Sequence, residues 1–268
     1  MKEGQNRFMT GFAILLAELK RGLKNHLAYP VQAACEVITV IFIAVAVPSL
    51  LEGSFPQGIS GVLVERPEKI VAFVTVFVAL IGLQIVHRIV REESDLGTLE
   101  QLCLTPIGLP SLIVFRCAAD TIRMMPVVLI VIGMVSRGQR VLQILAAASS
   151  IIFLMNTGML GIGFLLGSLT LIAKRTGFIP NLASLALLPF AVTSSSKMPR
   201  TVEIAGSIVP FAHGVRLMEP VLKGSPATSW TSSLVKLCIL SGLWFILGIR
   251  CFVVAERFAK DRGLLGKH

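Results

Sequence analysis

Long apolar runs leave this chain the fewest options. They are Val31 to Leu51, Ile70 to Val90, Leu112 to Val135, Val141 to Ile172, Phe178 to Val192 and Ser233 to Ala255. Several reach about 20 residues, the length of helix needed to cross roughly 30 Å of hydrocarbon. A soluble core helix is also apolar, but it is shorter, and its chain must dress a surface for water. This one does not: charged residues are only 15% and hydrophobic residues 54%, with a mean hydropathy of +0.80, whereas a soluble domain carries about a quarter charged residues. The expectation is an all-α membrane protein with six transmembrane helices, occupying residues 30–255.

The charge pattern orients those spans. A net charge of +10 is compatible with nucleic acid, but Lys and Arg do not form an aromatic-interleaved patch on a soluble face. They gather at the ends of the apolar runs. Of the 25 Lys and Arg, fourteen fall on the side of the termini and nine on the other, with Arg116 and Arg123 inside the third run. Positive residues favour the cytoplasmic side, so both termini are expected there, in the inner (cytoplasmic) membrane of the cell. The basic turn at Arg137 and Arg140 opposes this bias.

Outside the spans, residues 1–29 place Phe12, Leu15, Leu16, Leu19 and Leu23 at helical spacing among basic residues, and are expected to form an amphipathic helix lying in the cytoplasmic interface, with an ordinary solvated helix as the alternative. The first apolar residues are too few for a cleavable signal, so the first span is expected to act as the insertion signal. Gly53, Pro56, Gly58, Gly61 and Pro67 make residues 52–69 a loop. Residues 193–232 are too polar and proline-broken to span, yet hold short apolar stretches, and are expected to form a re-entrant outer segment packed on protein. Residues 256–268 read as a cytoplasmic basic tail.

Ionisable groups inside spans are functional candidates, because burying them in lipid is costly. Glu36 is one, although it lies near enough to a membrane face to snorkel. Arg116, Asp120 and Arg123 are spaced i, i+4 and i+7, so they share a helical face and the acid can pair with either base. They form either a self-neutralised cluster or part of a substrate path. The fourth run carries Gly158, Gly161, Gly163 and Gly167, a small-residue pattern that lets helix backbones approach closely.

The stretch Arg91 to Pro110, REESDLGTLEQLCLTP followed by IGLP, is the one charged island between two spans. Ser94 or Asp95 can cap a short helix, Leu99, Leu102 and Cys103 give it an apolar side, and Pro106 and Pro110 are expected to end it. No GxxxxGK[ST], HExxH or GxSxG occurs in the sequence, so the motifs for ATP, zinc or serine hydrolase chemistry are lacking. The five cysteines Cys35, Cys103, Cys117, Cys238 and Cys251 and the four histidines show no metal-ligand spacing. The island then reads as the place where energy enters from another subunit.

REESDLGTLEQLCLTPIGLPSLI resembles the cytoplasmic-loop signature of the type-2 ABC exporter permease family. MPRTVEIAGSIVPFAHGVRLMEPVL (Met198 to Leu222) is similar to that family's outer segment, although Arg216 follows His213 earlier than in the family pattern. GFLLGSLTLIAKR (Gly163 to Arg175) is similar to its fourth span and second cytoplasmic turn. The resemblance covers nearly the whole chain. It implies an N-terminal elbow helix, a pairing with a second permease subunit, same or homologous, and two copies of a separate ATP-binding subunit carrying ATP and Mg. Spans one, two and five would then flank the path for an amphiphilic, lipid-like, drug or lipid-linked glycan substrate. Carried over by position, Glu93, Gly97, Thr98, Leu99, Glu100, Gln101 and Leu102 would meet the ATPase, with Lys174 and Arg175 as a second contact. Two rivals are a haem-exporter-like subunit of cytochrome c maturation, which shares a similar GTLEQL string, and an ion-coupled secondary transporter. The latter should show repeated halves and carboxylates along a path, whereas only Glu36 and Asp120 qualify.

Overall fold

The computed structural model describes residues 67–103, 108–136, 141–172, 178–192, 206–225 and 227–262, with isolated positions between 16 and 42. The expected elbow helix and first span, including Glu36, lie almost wholly outside these residues. The loop 52–69 and the turn carrying Lys174 and Arg175 also fall largely or entirely outside.

Among the described residues the chain is helical, with no strand. The principal helices are α1 (Pro67–Asp95), α2 (Leu99–Cys103), α3 (Leu109–Val135), α4 (Val141–Ile172), α5 (Phe178–Val192), α6 (Pro210–Leu222) and α7 (Ala227–Asp261). Four stretches of the described residues are long and apolar enough to cross a membrane: Ile70–Asp95, Leu109–Met134, Val141–Ile172 and Trp230–Asp261. Helix α5 matches the expected fifth run, but its 15 residues reach only about 22 Å at 1.5 Å per residue.

Helix ends depart from the apolar boundaries for local reasons. Helix α1 continues past Val90 through REESD because Arg88–Glu92 (3.9 Å) and Arg91–Asp95 (3.8 Å) pair one turn apart, a spacing that supports helix. Helix α7 likewise runs into the expected tail as far as Asp261, where Lys260 pairs with Glu256 at 2.7 Å and Ala255 and Ala259 are buried. Pro110 opens α3 rather than closing the island, since proline in a first turn removes no hydrogen bond that the helix would use. Within residues 193–232 the structure forms α6, whose buried side is Pro210, Phe211, Ala212, Gly214, Leu217, Met218 and Val221.

The core is built on α1 and α4. In their most apolar stretches 72% and 61% of residues are buried, against 28% in α3 and 22% in α7, which makes the first pair central and the second peripheral. Residues from Ile70 to Leu83 of α1 and from Ala148 to Met159 of α4 join α6 and part of α3 in one apolar cluster. Ile85 to Val90, Leu160 to Leu171, Leu109 to Cys117 and Phe252 to Ala259 form the other, at the island end. There Phe164 meets Phe252 and Phe245 edge to face, with ring centroids 5.4 and 6.3 Å apart, a favoured aromatic geometry.

Helix α4 can touch α1 and α7 at once because it offers glycine on opposite sides. Positions 161 and 163 are two apart, about 200° around a helix of 3.6 residues per turn. A β-carbon at Gly161 would overlap the Trp244 carbonyl of α7, and one at Gly248 would overlap the carbonyl of Gly161. On the other side, a β-carbon at Gly163 would stand 2.9 Å from the Leu83 carbonyl oxygen of α1. Gly161→Val should therefore lower the apparent melting midpoint in detergent by about 5 °C or more, the scale of overpacking a filled interior. Gly242→Ala, at a site with nothing within 4 Å, should leave the midpoint unchanged or raise it, alanine being the better helix former by about 1 kcal/mol. Equal behaviour of the two variants in a thermal unfolding assay would contradict the close-packed seam.

Candidate functional site

The island is a turn with a fixed shape. Helix α1 is stopped just after Asp95 by Gly97, whose φ of 68° lies in the left-handed region that glycine adopts without strain. Gly97 N donates to Ser94 O and Thr98 N to Glu93 O, both at 3.0 Å, the paired bonds of a Schellman stop. Leu102 N donates to Thr98 O at 3.1 Å, starting α2 at once. The chain therefore reverses within three residues and carries α2 back against the bundle.

Side chains then lock the turn inward. The Glu93 carboxylate accepts hydrogen bonds from the Thr98 hydroxyl and from the Arg116 guanidinium of α3. The Glu93 and Arg116 side chains are only 13% and 18% exposed, so this pair is far less screened than a surface ion pair. Leu99 is 3% exposed and belongs to the apolar cluster at this end, with Leu102 and Cys103 packed on it. From the other side, Lys260 Nζ donates to the Cys103 carbonyl at 3.3 Å. Short helix α2 is thus held to α1, α3 and α7 together.

What the island presents outward is a different set from what it buries. Arg91, Glu92, Asp95, Gly97 and Gln101 are exposed, and Leu96 is 72% exposed. The Arg88–Glu92 and Arg91–Asp95 pairs nearly cancel in charge and, being exposed, contribute only about 0–1 kcal/mol each. The outward face is therefore a near-neutral ridge with an apolar tip at Leu96. Of the residues expected to face a partner, Gly97 and Gln101 lie on it, whereas Glu93, Thr98, Leu99 and Leu102 turn wholly or partly toward the bundle. Glu100 lies in α2, with its side chain outside the described set. Leu96 is not among the residues expected to face a partner, although the Gly97 stop signal identifies it as the last residue before the reversal.

The expected face of Arg116, Asp120 and Arg123 divides. Arg116 turns to Glu93, while Asp120 pairs with Arg123 at 2.8 Å and with Arg88 of α1 at 3.7 Å. Both acids thus bridge α1 and α3, Glu93 in the island itself and Asp120 nearly three helical turns beyond Pro110. Further polar ties follow along α1: His87 Nδ1 lies 2.7 Å from Thr170 Oγ1, and Gln84 Nε2 donates to Ser184 Oγ at 2.7 Å. Among the described residues, Cys103, Cys117, Cys238 and Cys251 are in no disulfide. Among the described residues no group of three or more His, Cys, Asp or Glu could hold a metal ion.

Compared with known proteins, the chain matches no family model, no curated protein and no solved structure.

The inward lock has a measurable signature. Glu93→Gln and Arg116→Met should each cost about 2 kcal/mol, the scale for removing one partner of a mostly buried charged hydrogen bond. Because both remove the same contact, the double variant should be clearly less destabilised than the sum of the two. Additive losses in melting or denaturant titration would show that the pair does not hold the turn.

Proposed function

We propose that this chain is the transmembrane permease subunit of an ATP-driven exporter of the type-2 ABC kind. The observation that carries the proposal is the island: a short helix clamped to three long helices, with an exposed ridge on its far side. A machine that lacks its own P-loop must receive motion from outside, and a rigid projection between two spans is a suitable receiver. A floppy loop would absorb the same push. The resemblance of GTLEQL and its surroundings to the family's cytoplasmic loop supports this reading.

In the full arrangement, six spans, an N-terminal elbow helix and a re-entrant outer segment containing α6 form the membrane domain in the cytoplasmic membrane, with both termini inside. Two ATP-binding subunits carrying ATP and Mg grip the islands of two permease subunits, same or homologous. The contact surface on this chain is Leu96, Gly97 and Gln101 with Glu92 and Asp95 around them, and Lys174 and Arg175 form the second contact. Glu93, Thr98, Leu99 and Leu102 keep the helix stiff, so motion applied at Leu96 passes through Arg116 into α3. The substrate is amphiphilic, moving along an apolar route beside the first, second and fifth spans, with Glu36 and the Asp120–Arg123 pair as candidate polar contacts.

Stimulated ATP hydrolysis in proteoliposomes with the cognate ATP-binding subunit tests this. Leu96→Asp combined with Gln101→Ala should cut stimulation about tenfold, a loss of about 1.4 kcal/mol at a docking hot spot, with the melting midpoint unchanged. Stimulation equal to wild type in a folded double variant would remove the ridge from the mechanism.

A further inference from the structure

A buried polar junction lies where α1, α3 and α4 meet, away from the ridge. Asn156 of α4 is 4% exposed. Its Nδ2 donates to Thr121 Oγ1 of α3 at 2.8 Å, and that hydroxyl donates in turn to the Cys117 carbonyl at 2.8 Å. The other half of the amide is unmatched: Asn156 Oδ1 is buried with no hydrogen-bond partner. Arg123 Nε, on the partner of Asp120, is likewise buried and unmatched. A buried carbonyl oxygen with both lone pairs unused is rare and calls for a donor.

Asn156 is also in the wall of a cavity of about 20 Å³, together with Gly82, Asp120, Thr121, Met124 and Met125. A cavity needs at least about 10–15 Å³ to accept one water molecule, together with two to four polar partners. The volume suffices for one water, and the polar groups carried by residues of the wall are the Asn156 amide, the Asp120 carboxylate and the Thr121 hydroxyl. Space for the oxygen depends on Gly82, because a β-carbon there would overlap Asn156 Oδ1. A hard cation fits the wall poorly. It would require about six oxygen ligands, whereas much of the lining is valine, isoleucine and methionine and Asp120 already faces Arg123 and Arg88.

We propose that this cavity is a binding site for one water molecule, which donates to Asn156 Oδ1 and uses Asp120 or Thr121 as its second partner. The junction would then be a hydrated joint between three helices. Because water can exchange partners as those helices shift, it lets α3 move against α1 and α4 without stranding a buried polar atom. The site requires no ATP-binding partner and stands whether or not the ridge binds one.

A map of the full chain in lipid nanodiscs, at a resolution where other buried waters are visible, provides the first test. A single peak about 2.7–3.2 Å from Asn156 Oδ1 is expected. No peak there, or elongated density continuous with lipid, overturns the proposal. X-ray hydroxyl-radical labelling, which marks side chains beside bound water, provides the second. Met124 and Met125 should be oxidised in the wild type and labelled about threefold less in Asn156→Leu, which removes the acceptor and fills the space. Equal labelling of the two proteins would overturn it. Gly82→Ala should reduce labelling in the same way and serves if Asn156→Leu does not fold.

Discussion

The packing depends on the backbone contact between α4 and α7 at Gly161 and Gly248. Between helices in lipid there is little hydrophobic driving force, since leucine is as well solvated by acyl chains as by another helix. What remains is dispersion and hydrogen bonding, and dispersion falls away within an ångström of contact. Close approach is therefore a condition for holding the bundle together. Glycine at 161 and 248 admits α7, and glycine at 163 admits α1 on the opposite side. With α4 gripped from both sides, α6 can dock at one end through Gly158 and Gly214, and the aromatic contacts of Phe164 can close the other.

That closed end explains the stiffness of the island. Ile113 and Phe252 bury against the same apolar cluster that receives Leu99, so α2 is seated on the ends of three helices. The Gly97 stop aims it there, and the Glu93–Arg116–Thr98 contacts prevent it from swinging away. Charge and hydrophobicity have separate tasks: the leucines hold the helix down, the inward acid fixes its angle, and the outward acids compensate Arg88 and Arg91.

Much of this was legible in the sequence. Run lengths identified α1, α3, α4 and α7 as spanning-length helices, and the glycine spacing in α4 marked it as a packing helix. Helix ends were less legible, because they follow from pairs such as Arg91–Asp95 and Glu256–Lys260, which extend a helix beyond its apolar stretch. At the island, composition suggested an acidic surface around Leu99. A leucine and a glutamate carry no label for inward or outward, and only the reversal at Gly97 decides that Leu99 is buried and Leu96 is not. The same limit applies at Asp120, whose spacing allowed either arginine. Arg116 is claimed by Glu93, a partner 23 residues away that helical periodicity cannot reveal. Asn156 is not legible at all, because a single amide in a glycine-rich run reads as packing until its neighbours in space are known.

The central claim is that the island meets an ATP-binding subunit through its Leu96 ridge and not through its buried leucines. Site-specific photocrosslinking tests it most directly, with a benzophenone side chain introduced at Leu96 or at Leu99 in membranes containing the cognate ATP-binding subunit. The account predicts a strong crosslink to that subunit from position 96 and none from position 99, where the probe should react within the chain or disrupt it. A crosslink from 99 with none from 96, or none from either position in folded protein, would contradict it.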